Sequence, residues 1–192
     1  MRAMADVIRF EEVGVARLRD RLGAVETANA DLIAYARGHH RATHAIHEAV
    51  LAMMAAGGVE EALSLVACEW PDLLGIDRAT VALVIGDKAF RIDTEGTFAL
   101  EPAWVDRAHA QADPVALRTG EHGDALFGAA ASQMKSEAIV RVGEVHADRP
   151  YGVLLLGERR RRELPSGEGT SLLAFLGRAL DAMIGGWTGT NL

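Results

Sequence analysis

Arg78–Asp93 reads RATVALVIGDKAFRID. Eight residues rich in β-branched side chains, then Gly86-Asp87, then six more predict a hairpin with strands over 78–85 and 88–93. Glycine at the first turn position suits a two-residue connection, and that connection fixes the register. Leu83 falls opposite Phe90 and Val81 opposite Ile92, giving one wholly apolar face. The other face pairs Thr80 with Asp93, Ala82 with Arg91 and Val84 with Ala89, so it is small and polar with one cation in it.

Before the hairpin the pattern is helical. Val15, Leu18, Leu22, Val25, Asn29, Leu32, Ala36, His39, Thr43, Ile46, Val50 and Met53 follow one another at alternating steps of three and four, an a/d heptad seam on one long helix. With Val15 at a, Asn29 also falls at a, where an asparagine fixes register and favours a parallel pair. Arg21 at g and Glu26 at the next e then face each other between two copies. An exposed pair of this kind contributes about 0–1 kcal/mol, so it sets orientation rather than strength. The predicted homodimer interface is Leu18, Leu22, Val25, Asn29 and Leu32. From Ala36 to Met53 the seam is weaker and suits packing on the helix's own domain. Gly57-Gly58 ends the helix. A second helix, from Val59 to about Leu74, carries the stripe Ala62, Leu63, Val66, Trp70 and Leu73.

After the hairpin, Pro102 opens a short helix ending before Asp113-Pro114, and 115–118 forms a short strand. The stretch 120–128 is glycine-rich and predicts a loop with a helical turn at Leu126-Phe127. Strands follow over 136–142 and 151–156, linked by a turn through 146–150, and an amphipathic helix runs over about 168–187. Helices at both ends of an antiparallel sheet define an α+β class, with a long dimerisation helix over 1–56 and a body over 57–192.

Composition bounds the partners. A net charge of −7 opposes an extended nucleic-acid surface. Cys68 stands alone, so no internal disulfide forms and a reducing compartment is expected. No apolar run approaches the roughly 20 residues that span a bilayer, and 1–10 has no apolar stretch of signal-peptide length. The expectation is a cytoplasmic protein with no membrane partner and no direct nucleic-acid partner.

Several segments resemble, in order and spacing, the uncharacterised bacterial family DUF484, whose fold is GAF-like. They are Leu126-Phe127-Gly128, Ser136-Glu137-Ala138, Tyr151-Gly152-Val153-Leu154-Leu155-Leu156-Gly157 and the stretch from Gly169-Thr170-Ser171 to Leu176. Ala16-Arg17-Leu18-Arg19 and the region from Leu32 to Arg37 resemble the family's leading helix. Glu158 departs from the family's usual serine, and Leu164 from its usual aromatic residue. The resemblance implies a GAF-like homodimer of unknown ligand. It also implies a gene neighbourhood shared with a tyrosine site-specific recombinase.

Candidate chemistry is sparse. His40 and His44, and His44 and His47, share a helix face at metal-binding spacing, but the one nearby carboxylate, Glu48, points away from that face and no cysteine completes a site. Cys68, between Ala67 and Glu69 in a helix, is expected to be a small buried hydrophobe. GAF domains that reduce free methionine sulfoxide use several cysteines, which one cysteine does not supply. Arg159, Arg160, Arg161 and Arg162 read as a solvated loop. No P-loop, nucleophile elbow or pair of catalytic carboxylates occurs. No metal, cofactor or enzymatic activity is therefore expected. Arg91 is the most suggestive residue, because a large cation opposite Ala82 leaves room for a ligand with an anionic or accepting group. The candidate ligand-binding set is Arg91, Ala82, Trp104, Arg118, Phe127 and Ser136, around a space between the sheet and the segment from Trp104 to Phe127. Two functions fit: a sensory or regulatory module that binds a small molecule or a partner protein, and a coiled-coil structural adaptor whose interior is filled by its own side chains, linked to a site-specific recombinase.

Overall fold

The computed structural model describes residues 10–121, 123–146, 149–161 and 167–188; the side chains of 10–18, 20, 31–37, 168 and 188 lie outside that description. The chain forms two compact units, residues 1–41 and 42–192. One helix, α1 (Phe10–Met54), supplies the described part of the first unit and the opening turns of the second. In those opening turns Ile46, Ala49 and Met53 are buried, and the indole Nε1 of Trp70 donates a 3.0 Å hydrogen bond to the Ala49 carbonyl.

The helix expected over 59–74 is two helices, α2 (Val59–Cys68) and α3 (Trp70–Leu74). Pro71 explains the break: it has no N–H to offer the preceding turn, so the helix stops at Glu69 and restarts with the proline in its first turn. Ala62, Leu63, Val66 and Ala67 take the buried side of α2. The expectation that Cys68 is buried is overturned, since its thiol is free and exposed. One residue beyond Ala67 the helix has turned about 100°, which carries position 68 out of the core.

The sheet has six strands: β1 (Arg78–Ile85), β2 (Lys88–Asp93), β3 (Gly96–Leu100), β4 (Val115–Thr119), β5 (Ser136–Val142) and β6 (Tyr151–Glu158). Their order is β3-β2-β1-β6-β5-β4, with every neighbouring pair antiparallel. The hairpin register matches the sequence expectation, with Val81 opposite Ile92, Ala82 opposite Arg91, Leu83 opposite Phe90 and Val84 opposite Ala89. Strand β3 was not anticipated. It is an edge strand, exposed along most of its length, so it has no alternation of burial to read. The Asp93 carboxylate accepts a 2.7 Å hydrogen bond from the Glu95 N–H and turns the chain into it. The helical turn expected at Leu126-Phe127 extends into a 3₁₀ segment, Ala125–Gln133. Two further helices are α4 (Pro102–Gln111) and α5 (Glu168–Thr188).

Each sheet face has its own core. Val81, Leu83, Val140 and Leu154 lie under the last turns of α1, under α2 and Trp70, and under Leu176, Leu180 and Ile184 of α5. On the opposite face Ala82, Val84, Ile139, Val153 and Leu155 pack with α4 and the 3₁₀ segment. Two polar contacts hold α4 there: the Tyr151 hydroxyl donates to Asp106 at 2.7 Å, and His109 Nε2 lies 3.0 Å from the Gly143 carbonyl. The α+β arrangement is therefore observed. No described helix is long and apolar enough to cross a membrane.

Candidate functional site

The space expected between the sheet and the Trp104–Phe127 segment is occupied by the chain itself. Asp124 caps the 3₁₀ segment by accepting a 3.0 Å hydrogen bond from the Leu126 N–H. Within the segment the backbone kinks at Gly128, with φ 58° and ψ −131°, a region that favours glycine strongly. Leu126, Phe127, Ala130 and Met134 enter the core formed with Ala82, Ile139 and Leu155. Gly157 of β6 makes the fit possible. A Cβ there would lie 2.6 Å from the Met134 sulfur and 2.8 Å from Phe127 Cζ, closer than packed atoms approach. Ala82 and Phe127 thus meet in this packed layer, and Ser136 is buried at the start of β5. Trp104 is 45% exposed, because Val105, Ala108 and His109 take the inward side of α4.

Arg91 is mostly buried and engaged on three sides. Its Nε lies 2.9 Å from Asp93 Oδ2, its guanidinium carbon sits 4.4 Å from the centre of the Phe98 ring, and its amino groups abut Gly128, where any Cβ would collide with them. The sequence reading set Arg91 opposite Ala82. It missed Phe98, which arrives on the unanticipated β3, and Gly128, which is 37 residues away.

Arg118 anchors a second cluster. Its amino groups donate to Gln111 at 3.1 Å and to Asp124 at 2.8 Å, and its Nε lies 2.8 Å from Glu137 Oε1. The Nε groups of Arg91 and Arg118 lack hydrogen-bond geometry to these carboxylates, so those two contacts are ion pairs rather than hydrogen bonds. Glu137 Oε2 also accepts a 2.6 Å hydrogen bond from the Asp124 N–H. The cluster therefore clasps the start of the 3₁₀ segment to β4 and β5. A cleft of about 350 Å³ lies beside it, lined by Arg118, Thr119, Gly123, Asp124, Lys135 and Glu137. Sequence reasoning quoted Glu137 only within a family motif; its role depends on pairing with Arg118 across β4 and β5.

Burial holds the Glu137 carboxyl above the ordinary carboxylate value, against the opposing pull of the Asp124 N–H and the Arg118 charge. A carboxyl raised on folding contributes stability below its unfolded value and loses it as pH rises through its folded value. Arg118→Ala removes one opposing pull and moves the folded value further up. The expected loss is about 1–3 kcal/mol at neutral pH. Urea unfolding should show a smaller loss near about pH 3, where the carboxyl is largely protonated in both states. A loss that is larger in acid would contradict this assignment.

Of the proposed interface residues, Leu22 and Val25 are 58% and 64% exposed, and Asn29 is exposed beside exposed Arg21 and Glu26. The side chains of Leu18 and Leu32 lie outside the described residues. His39, His40, His44 and His47 are exposed on α1, and no group of three or more metal-ligating residues gathers among the described residues. Arg159, Arg160 and Arg161 are exposed, with the Arg159 N–H donating to Asp77 at 2.8 Å and Arg161 3.3 Å from Glu121. Arg162 lies outside the described residues.

This six-stranded sheet, with a helical layer on one face and a helix and a 3₁₀ segment on the other, is GAF-like, and solved structures agree. The chain superposes on the GAF domain of an Acinetobacter phosphoenolpyruvate-protein phosphotransferase with a TM-score of 0.56 at 13% identity, over 77% of this chain and 95% of that one. The free methionine-R-sulfoxide reductase of Neisseria meningitidis, solved with its substrate, gives 0.56 at 14% identity, over 77% and 89%. A bacteriophytochrome from R. palustris gives 0.53 at 15% identity, over 74% of this chain but 37% of that one, so the chain spans little more than a third of its length. These likenesses are of fold. The chain belongs to the DUF484 family, described as proteins of unknown function, whose model matches residues 2–189. No curated protein matches it.

Proposed function

We propose that this chain is a non-enzymatic homodimeric regulatory module, in which α1 pairs two copies and the GAF-like body receives a small molecule or a partner protein. The observation that carries the reading is α1. Leu22 and Val25 lie open to solvent at heptad spacing, ahead of an asparagine and beside charges of opposite sign. A parallel second copy buries the apolar pair, matches Asn29 with its equivalent and sets Arg21 against Glu26. The receiving role follows from likeness to structures that hold small molecules, among them a chromophore-binding bacteriophytochrome domain and a substrate-bound reductase.

A ligand meets Arg91 or Arg118 through an anionic or accepting group, on the side the 3₁₀ segment now occupies. One observation favours a second reading, the ligand-free adaptor: Leu126, Phe127 and Met134 already fill that face. Native mass spectrometry of protein purified from its own host separates the two. The receiving module predicts a dimer with added small-molecule mass or a retained protein, and Arg91→Ala weakens that retention about tenfold or more. A bare dimer supports the adaptor. Neither reading involves direct nucleic-acid contact, because three described arginines neutralise few phosphates against a net charge of −7.

A further inference from the structure

We propose a second ligand site on the GAF-like body, at the end of β5, that takes a free α-amino acid. A cleft of about 340 Å³ opens there, and it shares no lining residue with the cleft at Arg118. The site stands apart from the dimer and from the ligand reading above. One wall is α5. Ser171, Arg178 and Asp181 line the cleft at steps of seven and three, so one face of a single helix supplies a hydroxyl, a cation and a carboxylate. The other wall is the end of β5 and the turn after it, with Arg141, Gly143 and Glu144. Two glycines bring the walls together. Gly177 lets α5 lie directly on β5, since a Cβ there would collide with the Arg141 carbonyl oxygen. Gly143, at φ 68°, turns the chain beside Asp181, whose Oδ1 would lie 3.0 Å from a Cβ at that position.

The cations of this cleft are poorly satisfied. The Arg141 side chain is only 23% exposed, yet its Nη1 lies 3.7 Å from Asp113 Oδ1 and 3.7 Å from Glu144 Oε1, beyond hydrogen-bond reach. Those carboxylates are 88% and 75% exposed, so each holds the cation weakly. The Arg141 Nε is buried with no hydrogen-bond partner. A guanidinium in this state gains from any acceptor that reaches it, and a carboxylate offers two oxygens at once. Arg178 is exposed on the facing wall, and no hydrogen bond or ion pair to a described residue engages it. Glu144 and Asp181 match the two arginines in charge. A purely anionic ligand therefore meets two carboxylates along with its two partners, and a purely cationic one meets two guanidiniums. A zwitterion with its charges a few bonds apart satisfies both pairs. An α-amino acid has that form, with its carboxylate toward Arg141 and Arg178 and its ammonium toward Glu144 and Asp181. The volume lies at the small end of the range for ligand sites, which suits a single amino acid rather than a peptide.

The test is isothermal titration calorimetry of the full chain with each of the standard L-amino acids, and with propionate and ethylamine as probes that carry one charge each. The expected result is at least one amino acid bound with a dissociation constant of about 1 mM or tighter, and neither single-charge probe bound at about 10 mM. Arg141→Gln should weaken that binding about tenfold or more, and Arg178→Gln about threefold or more. Lys88→Gln, which removes an exposed cation at the start of β2, should change it by less than about twofold. Circular dichroism checks that the variants stay folded. Should Arg141→Gln unfold, the exposed Arg178 carries the test. No amino acid bound, or propionate bound as tightly as the amino acid, overturns the proposal. Wild-type affinity in the folded arginine variants, or equal weakening in Lys88→Gln, also overturns it, because the ligand then sits elsewhere or responds only to overall charge.

Discussion

Replacing Leu22 and Leu32 by aspartate should convert the dimer to monomers. Each substitution puts a carboxylate where a parallel pair buries apolar surface, and symmetry doubles it to four. An unpaired charge in such a place costs several kcal/mol, and every 1.4 kcal/mol is a factor of ten, so the dissociation constant should rise by about a thousandfold or more. Size-exclusion chromatography with light scattering reads this directly. The body should stay folded, because the buried core begins at Ile46 among the described residues. Unfolding by urea should therefore be unchanged apart from the lost linkage to dimerisation. Retention of the dimer by the double variant would place the interface elsewhere.

The second large effect is expected at Phe127. Its ring is 2% exposed and fills the hollow that Gly157 leaves in the sheet. Phe127→Ala should cost about 3–5 kcal/mol, because the transfer free energy of the ring is lost and the fixed sheet cannot collapse into the void. That is a large part of the about 5–15 kcal/mol that holds an ordinary domain together. Gly157→Val tests the same fit from the other side, since its side chain competes with the ring for one volume. Urea unfolding of both variants checks the prediction. A loss below about 1 kcal/mol in Phe127→Ala would mean that the segment packs loosely and that the face is open.

The parts of this molecule legible from sequence are those fixed by neighbours in the chain. The hairpin register followed from Gly86-Asp87, because a two-residue turn leaves one way to pair the strands. It placed Arg91 over Ala82 correctly. Strand β3 was illegible because an exposed edge imposes no pattern on its residues. The helix expected over 59–74 breaks ahead of Pro71 and then takes one more turn. Cys68 was misplaced because composition says that cysteines are commonly buried, while the phase of α2 decides this one. The filling of this face by the chain's own side chains is left open by the sequence. It depends on the missing side chain of Gly157 meeting Phe127 and Met134, residues 30 and 23 positions away. The Arg118–Glu137 pair likewise needs the β4–β5 register, which no tight turn specifies.

Pairing through α1 is the claim on which the regulatory reading stands. Sedimentation equilibrium of the unaltered chain at micromolar concentration and neutral pH tests it most directly. The expected result is a single species of twice the 20.5 kDa chain mass. A species of 20.5 kDa, unchanged as concentration rises, would contradict it.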